Sequence, residues 1–248
     1  MARFLSVKDL LNQSTTTARR FPLTLLSAIV GSFVAVYMVE LHNEEAQKKW
    51  AALLLVCSMG LTLFFALTIF SERKGHPRSK MIGLQASGLL LLAGYYMYLR
   101  NWFVEIEFIR YALVNLAVHL FASFAAYTGR DNLKGFWQFN KALFLRLFFS
   151  AIYSATLFLG ICLAIAAVDR LFGAHIQGQR YFQLWVMLVG VFNTWFFLAG
   201  VPKDLAELNH SDDYPKGLKI FTQYVLLPLV TLYLVILYTY MGKIILTQ

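Results

Sequence analysis

Charge is what this chain of 248 residues has least of. Asp, Glu, Lys and Arg together make 14 % of it, against about one quarter in an ordinary soluble domain. The few charges are clustered between long apolar runs, which excludes a soluble globular fold. Cysteine is nearly absent as well. Cys57 and Cys162 both stand inside apolar runs, where they read as small core residues rather than a disulfide. The histidines His42, His76, His119, His175 and His210 fall in separate segments and form no metal-ligand motif, and no cofactor motif is present. No run of Lys and Arg is long enough to track phosphates. The net charge of +9 is therefore read as an orientation signal and not as a nucleic-acid surface.

Apolar residues are what the chain has in abundance: 59 % are hydrophobic and 16 % aromatic. They form stretches of roughly 20 residues, and at 1.5 Å per residue such a helix crosses a bilayer core of about 30 Å. The expected fold is all-α, a polytopic membrane bundle of seven helices over residues 21–41, 50–70, 81–99, 108–128, 144–168, 181–201 and 221–246. Residues 1–20 precede this 21–248 membrane domain. Phe4, Val7 and Leu11 share a helical face there and predict a short interfacial helix. Pro22 suits a first helical turn, and Pro228 predicts a kink in the seventh span. Short loops predict antiparallel neighbours.

Fifteen of the 22 Lys and Arg residues fall on the side of the N-terminus, and the bias alternates at every loop. The positive-inside rule then predicts a cytoplasmic N-terminus and a C-terminus outside. Trp50, Trp102, Trp137 and Trp185 lie near predicted span ends, as an aromatic belt requires.

Two segments carry a family resemblance: FWQFNKALFLRLFFSAIYSATLFLG at 136–160, and the stretch 192–246 that opens FNTWFFLAGVPKDLAELNHSDDYPKGLK. Both resemble the bacterial membrane-protein family of domain of unknown function 4153, found widely in Bacteroidetes. The similarity is specific over the second half of the chain and looser over the first four spans. It implies a multi-pass protein of the bacterial inner membrane, and it carries no activity or catalytic residue with it. Members of that family are often longer, with further sequence after the segment that ends here at Gln248.

The predicted spans hold no Asp, Glu, Lys or Arg near their centres, which counts against a charge-driven pump or antiporter. Lys243 lies at the end of the seventh span, too far out for a retinal Schiff base. The polar exceptions are Asn115 and His119 in the fourth span, Asn193 and Thr194 in the sixth, and Gln85 with Ser87 in the third. Asn115 and His119 are four apart and share a helix face. Counted from the starts of their spans, His119 and Asn193 both lie roughly 17 Å deep, near mid-membrane, so they are able to meet. Two readings stand: a polar site lining a cavity or solute path, and interhelical hydrogen bonds that fix packing.

Three further features are singled out. Ser27, Gly31 and Ala35 form a small-residue stripe on the first span, suited to close helix packing inside the bundle or against a protein partner or second copy. Residues 133–146 read as an amphipathic lead into the fifth span, with Lys134, Lys141 and Arg146 toward headgroups; the sharper reading is an anionic-lipid or partner site. Asp212, Asp213, Tyr214 and Lys216 sit in a turn set by Pro215 and Gly217, a candidate docking loop. No catalytic residue is assigned. The sequence fits a non-enzymatic membrane module first: a scaffold, a sensor or a subunit of a larger assembly. A permeation pathway for a small solute comes second, and a lipid-acting membrane enzyme third.

Overall fold

A computed structural model describes residues 15–101, 105–127, 133–173, 175–204 and 227–247, which are helix or connecting turn. The chain divides into two compact units, one up to Asn209 and one from His210. In the first, residues 15–20 are helical. They lead into α1 (Pro22–Glu40), α2 (Glu44–Arg73), α3 (Arg78–Asn101), α4 (Glu105–Phe124), α5 (Leu133–Phe172) and α6 (Gly178–Ala199). The second unit contains α7 (Leu227–Thr247).

Among the described residues, six helices, α1 to α6, are long and apolar enough to cross a membrane. The protein is therefore an all-α, polytopic helical bundle with six such helices, which corrects the expected seven. Residues 221–226 of the seventh expected span lie outside the described residues. What remains of that run forms α7, in a unit of its own. Pro228 is the second described residue of α7, and the residues before Leu227, on which the expected kink depends, lie outside the described residues. The candidate interfacial helix with Phe4, Val7 and Leu11, and the turn with Asp212, Asp213, Tyr214 and Lys216, lie outside the described residues.

Local chemistry explains the helix ends. Asn43 caps α2: its side-chain oxygen accepts from the Ala46 N–H at 3.1 Å. Glu44 and Glu45 follow in the first turn, where the helix dipole favours acid. α2 stops at Gly75, whose φ of 61° places it in the left-handed region that glycine tolerates. The His76 N–H then closes onto the Ser71 carbonyl at 3.1 Å. α5 has 40 residues, about 60 Å of helix, roughly twice the bilayer core. Its leading turns thus continue the expected fifth span outward as one rod, and Trp137 on that part is exposed.

α2 is the centre of the first unit. Half of its most apolar stretch is buried, against 6 % for α5. One core cluster gathers Phe21, Phe65, Ile69, Ala126, Phe139 and Leu198, with Phe21 stacked on Phe65 at 5.7 Å. A second joins Ala52, Val56, Met59, Phe64, Leu92 and Tyr111, between α2, α3 and α4. Small residues allow the close contacts. A Cβ on Gly60 would come 3.0 Å from Ser27 Oγ, and one on Gly31 would come 3.1 Å from the Cys57 Cβ. The stripe Ser27, Gly31 and Ala35 therefore faces α2 and α6, where it lines a cavity of about 320 Å³.

Polar ties hold the two ends of the unit. Arg20 donates from Nε and Nη2 to the two oxygens of Glu72 at 2.9 and 2.7 Å. It also donates to the Val201 and Pro202 carbonyls at 2.9 and 2.8 Å. One guanidinium thus joins the start of α1, the end of α2 and the chain after α6. At the opposite end Glu40 accepts from Arg180 at 2.9 Å and from Gln183 at 2.7 Å, tying α1 to α6.

Candidate functional site

The sixth span is not a uniform α-helix. Its middle, Leu188–Asn193, is a π-helix, between the α-helical segments Gly178–Met187 and Thr194–Ala199. Such widened turns insert a residue into the helical ladder and recur at functional sites. Gly190 sits in this segment against α1, where a Cβ would collide with Ser32 Oγ. The π turn ends at Asn193 and is followed by Thr194.

A cavity of about 590 Å³ opens beside that turn, walled by α2, α4, α5 and α6. This is the size of a small-molecule site. Most of the wall is apolar, including Phe65, Leu143, Leu147 and Phe197. Six polar side chains interrupt it: Thr62, His119, Ser123, Asn140, Asn193 and Thr194.

Three of the six polar residues singled out in the spans line this cavity, His119, Asn193 and Thr194, whereas Gln85 and Ser87 do not. Asn115 is not on the wall, but it positions one that is. The His119 Nδ1–H donates to the Asn115 carbonyl at 2.8 Å. In the neutral ring that leaves Nε2 as an acceptor, and the Thr62 hydroxyl lies 3.3 Å from it. The Asn115 side-chain oxygen is buried without a hydrogen-bond partner. Asn193 Oδ1 accepts a long 3.4 Å bond from Ser154 Oγ. Asn140 donates to the Ser123 and Phe136 carbonyls at 3.0 and 2.9 Å. These polar groups lie toward the Arg20 end of the bundle. His119 is five residues from the end of α4 and Asn193 six from the end of α6, about 7.5 and 9 Å of helix.

Counting along the spans brings His119 and Asn193 together, but it gives no notice of Thr62, Ser123 or Asn140. Thr62 is masked in the sequence by the apolar run around it. Its signal is the spacing of Thr62, Ala66 and Thr68 among larger residues, all three buried. Asn140 precedes the expected fifth span, so only the unbroken course of α5 brings it to the cavity. Glu107 is a further surprise: it is 3 % exposed near the start of α4, paired with Arg110 at 2.5 Å through one oxygen, its other oxygen unpartnered.

Hydroxyl, amide and imidazole groups offer hydrogen-bond donors and acceptors on a mostly apolar wall. Among the described residues, no three His, Cys, Asp or Glu side chains come together as a metal site.

No curated protein and no solved structure matches the chain. Residues 25–248 match the family described as Domain of unknown function (DUF4153), and over that length the chain belongs to it.

Proposed function

We propose that this protein is a non-enzymatic binding module of the bacterial cytoplasmic membrane that takes a small, uncharged, mainly apolar molecule between α2, α4, α5 and α6. The cavity of about 590 Å³ beside the π turn carries the reading. Binding a molecule that brings both hydrogen-bonding groups and apolar surface would answer the amide of Asn193, the Thr62–His119 pair and the hydroxyl of Thr194 at once. The gathering of Arg20, Arg146 and Lys203 at one end of the first unit supports a cytoplasmic N-terminus. A reporter fused into the 74–77 turn should then read as cytoplasmic.

The test is native mass spectrometry of protein released from lipid nanodiscs. Wild type should retain a small neutral molecule, and Leu147→Trp, which fills the cavity from an exposed position on α5, should lose it. No retained molecule in wild type, or equal retention in the variant, overturns the proposal. A second reading, a permeation pathway, draws on the same polar groups. Vesicle uptake of the retained molecule separates the two, because His119→Ala and Asn193→Ala should slow it together if they line a path. A protein partner at Ser27, Gly31 and Ala35 would have to reach into the space those residues line with α2 and α6. The turn of Asp212, Asp213, Tyr214 and Lys216 remains the proposed docking loop for a partner; purification from native membranes with the loop replaced by Gly and Ser should lose any co-purifying protein.

A further inference from the structure

A third pocket lies at the Arg20 end and shares only Leu198 with the cavity beside the π turn. It encloses about 250 Å³ among residues 15–20, α5 and the chain after α6. Its polar wall is Thr16, Thr17, Arg20, Arg146 and Lys203. Three cations around so small a space repel one another unless each is compensated. Arg20 is compensated, because Glu72 takes its fork through both oxygens and two backbone carbonyls take the rest. Arg146 and Lys203 have no carboxylate partner among the described residues. Asp204, adjacent in sequence to Lys203, is engaged in an interaction of its own.

The position of Arg146 is built into the backbone. Its side chain lies directly over Gly200, so that a Cβ there would collide with Cδ, Nε and Cζ. Glycine at 200 leaves the room for the guanidinium to lie against the end of α6. Lys134 and Lys141, read with Arg146 as one basic face in the sequence, do not line this pocket.

We infer that this pocket binds a phosphate-bearing anion, held by the guanidinium fork of Arg146 and the ammonium of Lys203 beside the hydroxyls of Thr16 and Thr17. Guanidinium matches two phosphate oxygens at once, and ammonium adds a point charge. The anion supplies the negative charge that the described residues leave out. A phospholipid headgroup and free phosphate present the same chemistry.

The experiment compares wild type with Arg146→Gln/Lys203→Gln, in detergent with a neutral headgroup. One arm titrates phosphatidylglycerol by native mass spectrometry. The other titrates inorganic phosphate by thermal shift. Loss of two charge-assisted contacts should weaken binding at least tenfold, about the effect of one strong charged hydrogen bond. The exposed pair Arg78→Gln/Lys80→Gln, equal in charge change, should alter binding less than about twofold if the site is specific. A loss confined to the lipid arm identifies a headgroup site, and a loss in the phosphate arm identifies a soluble-anion site. Equal affinity of wild type and the double variant for both probes overturns the inference, as does an equal loss in the control pair. If the double variant does not fold, Lys203→Gln alone, on the chain beyond α6, should still cost about threefold or more, and no change there overturns the inference equally.

Discussion

α2 and α5 read almost alike in sequence and end in opposite surroundings. Both contain long, strongly apolar stretches, yet half of that stretch is buried in α2 and 6 % in α5. Length does not separate them in the expected direction, since the longer helix is the less covered. Nor does the supply of small and hydroxyl-bearing residues, since α5 also carries Ser150, Ala151, Ser154, Thr156 and Gly160; what differs is whether a neighbouring helix packs against them. The buried face of α2 carries Ala52, Gly60, Thr62, Ala66, Thr68 and Ser71 among its aromatics. In the apolar part of α5 the buried positions are Ser150 and Ser154, at 0 and 2 % exposure, while Leu157, Leu159 and Leu163 face outward. Hydrocarbon tails are as apolar as leucine, so burying leucine against protein gains little over leaving it in lipid. Close backbone approach and internal hydrogen bonds decide which face turns inward.

Matched substitutions sharpen that contrast. The largest difference is expected between Gly60→Leu and Gly160→Leu. Gly60 is pressed by Ser27 and Leu92, whereas a Cβ on Gly160 meets nothing within 4 Å. Thermal unfolding in detergent should show a loss of about 3 kcal/mol or more in α2, the upper end for overpacking, and almost none in α5.

The charged ends should differ next. Glu72→Gln breaks the bidentate bond from Arg20, whose side chain is 13 % exposed. A cost of about 1–2 kcal/mol is expected after allowance for partial solvent screening. Arg170→Gln on exposed α5 surface should fall within about 0.5 kcal/mol of wild type. Chemical denaturation of the two variants measures both.

A smaller contrast tests the hydroxyls. Thr68 donates to the Phe64 carbonyl at 2.8 Å and accepts from Gln85 at 3.0 Å. Thr68→Val orphans that buried amide and should cost about 0.6–1.7 kcal/mol, the range for interhelical hydrogen bonds in membranes. Thr156→Val removes only a bond within α5, to Ile152, at an exposed position. Equal losses at Thr68 and Thr156 would break the comparison, because burial would then not matter.

The smallest effect is a pH dependence carried by α2 alone. Lys49, hydrogen-bonded to Glu45 at 2.9 Å, holds that exposed carboxyl below its ordinary value. A carboxylate with a lowered folded-state pKa contributes stability that is present above its unfolded value and lost as pH falls through the folded one. Through this carboxyl a slight decrease of stability is therefore expected on acidification, and Lys49→Gln should reduce it. The first turn of α5 contains no acid and has no such contribution.

Much of the architecture was legible along the chain, for particular reasons. Apolar runs near 20 residues gave the spans of α1 to α6, and depth counting brought His119 toward Asn193. The π turn was not legible, because Gly190 and Asn193 in an apolar helix fit an α-helix equally well. Nor was the bond of Arg20 to Glu72, 52 residues away, or the approach of Arg146 to Gly200. Each depends on where two distant helix ends meet.

Sequence by itself determined that the chain enters lipid as helices, because backbone N–H and C=O groups there must pair within their own segment, and it determined where the basic turns fall. Only the tertiary structure decided which faces meet protein and which meet lipid, and so where the cavity and the basic pocket open. An apolar solvent draws no line between inside and outside for apolar side chains; steric fit and hydrogen bonds between distant segments draw it instead.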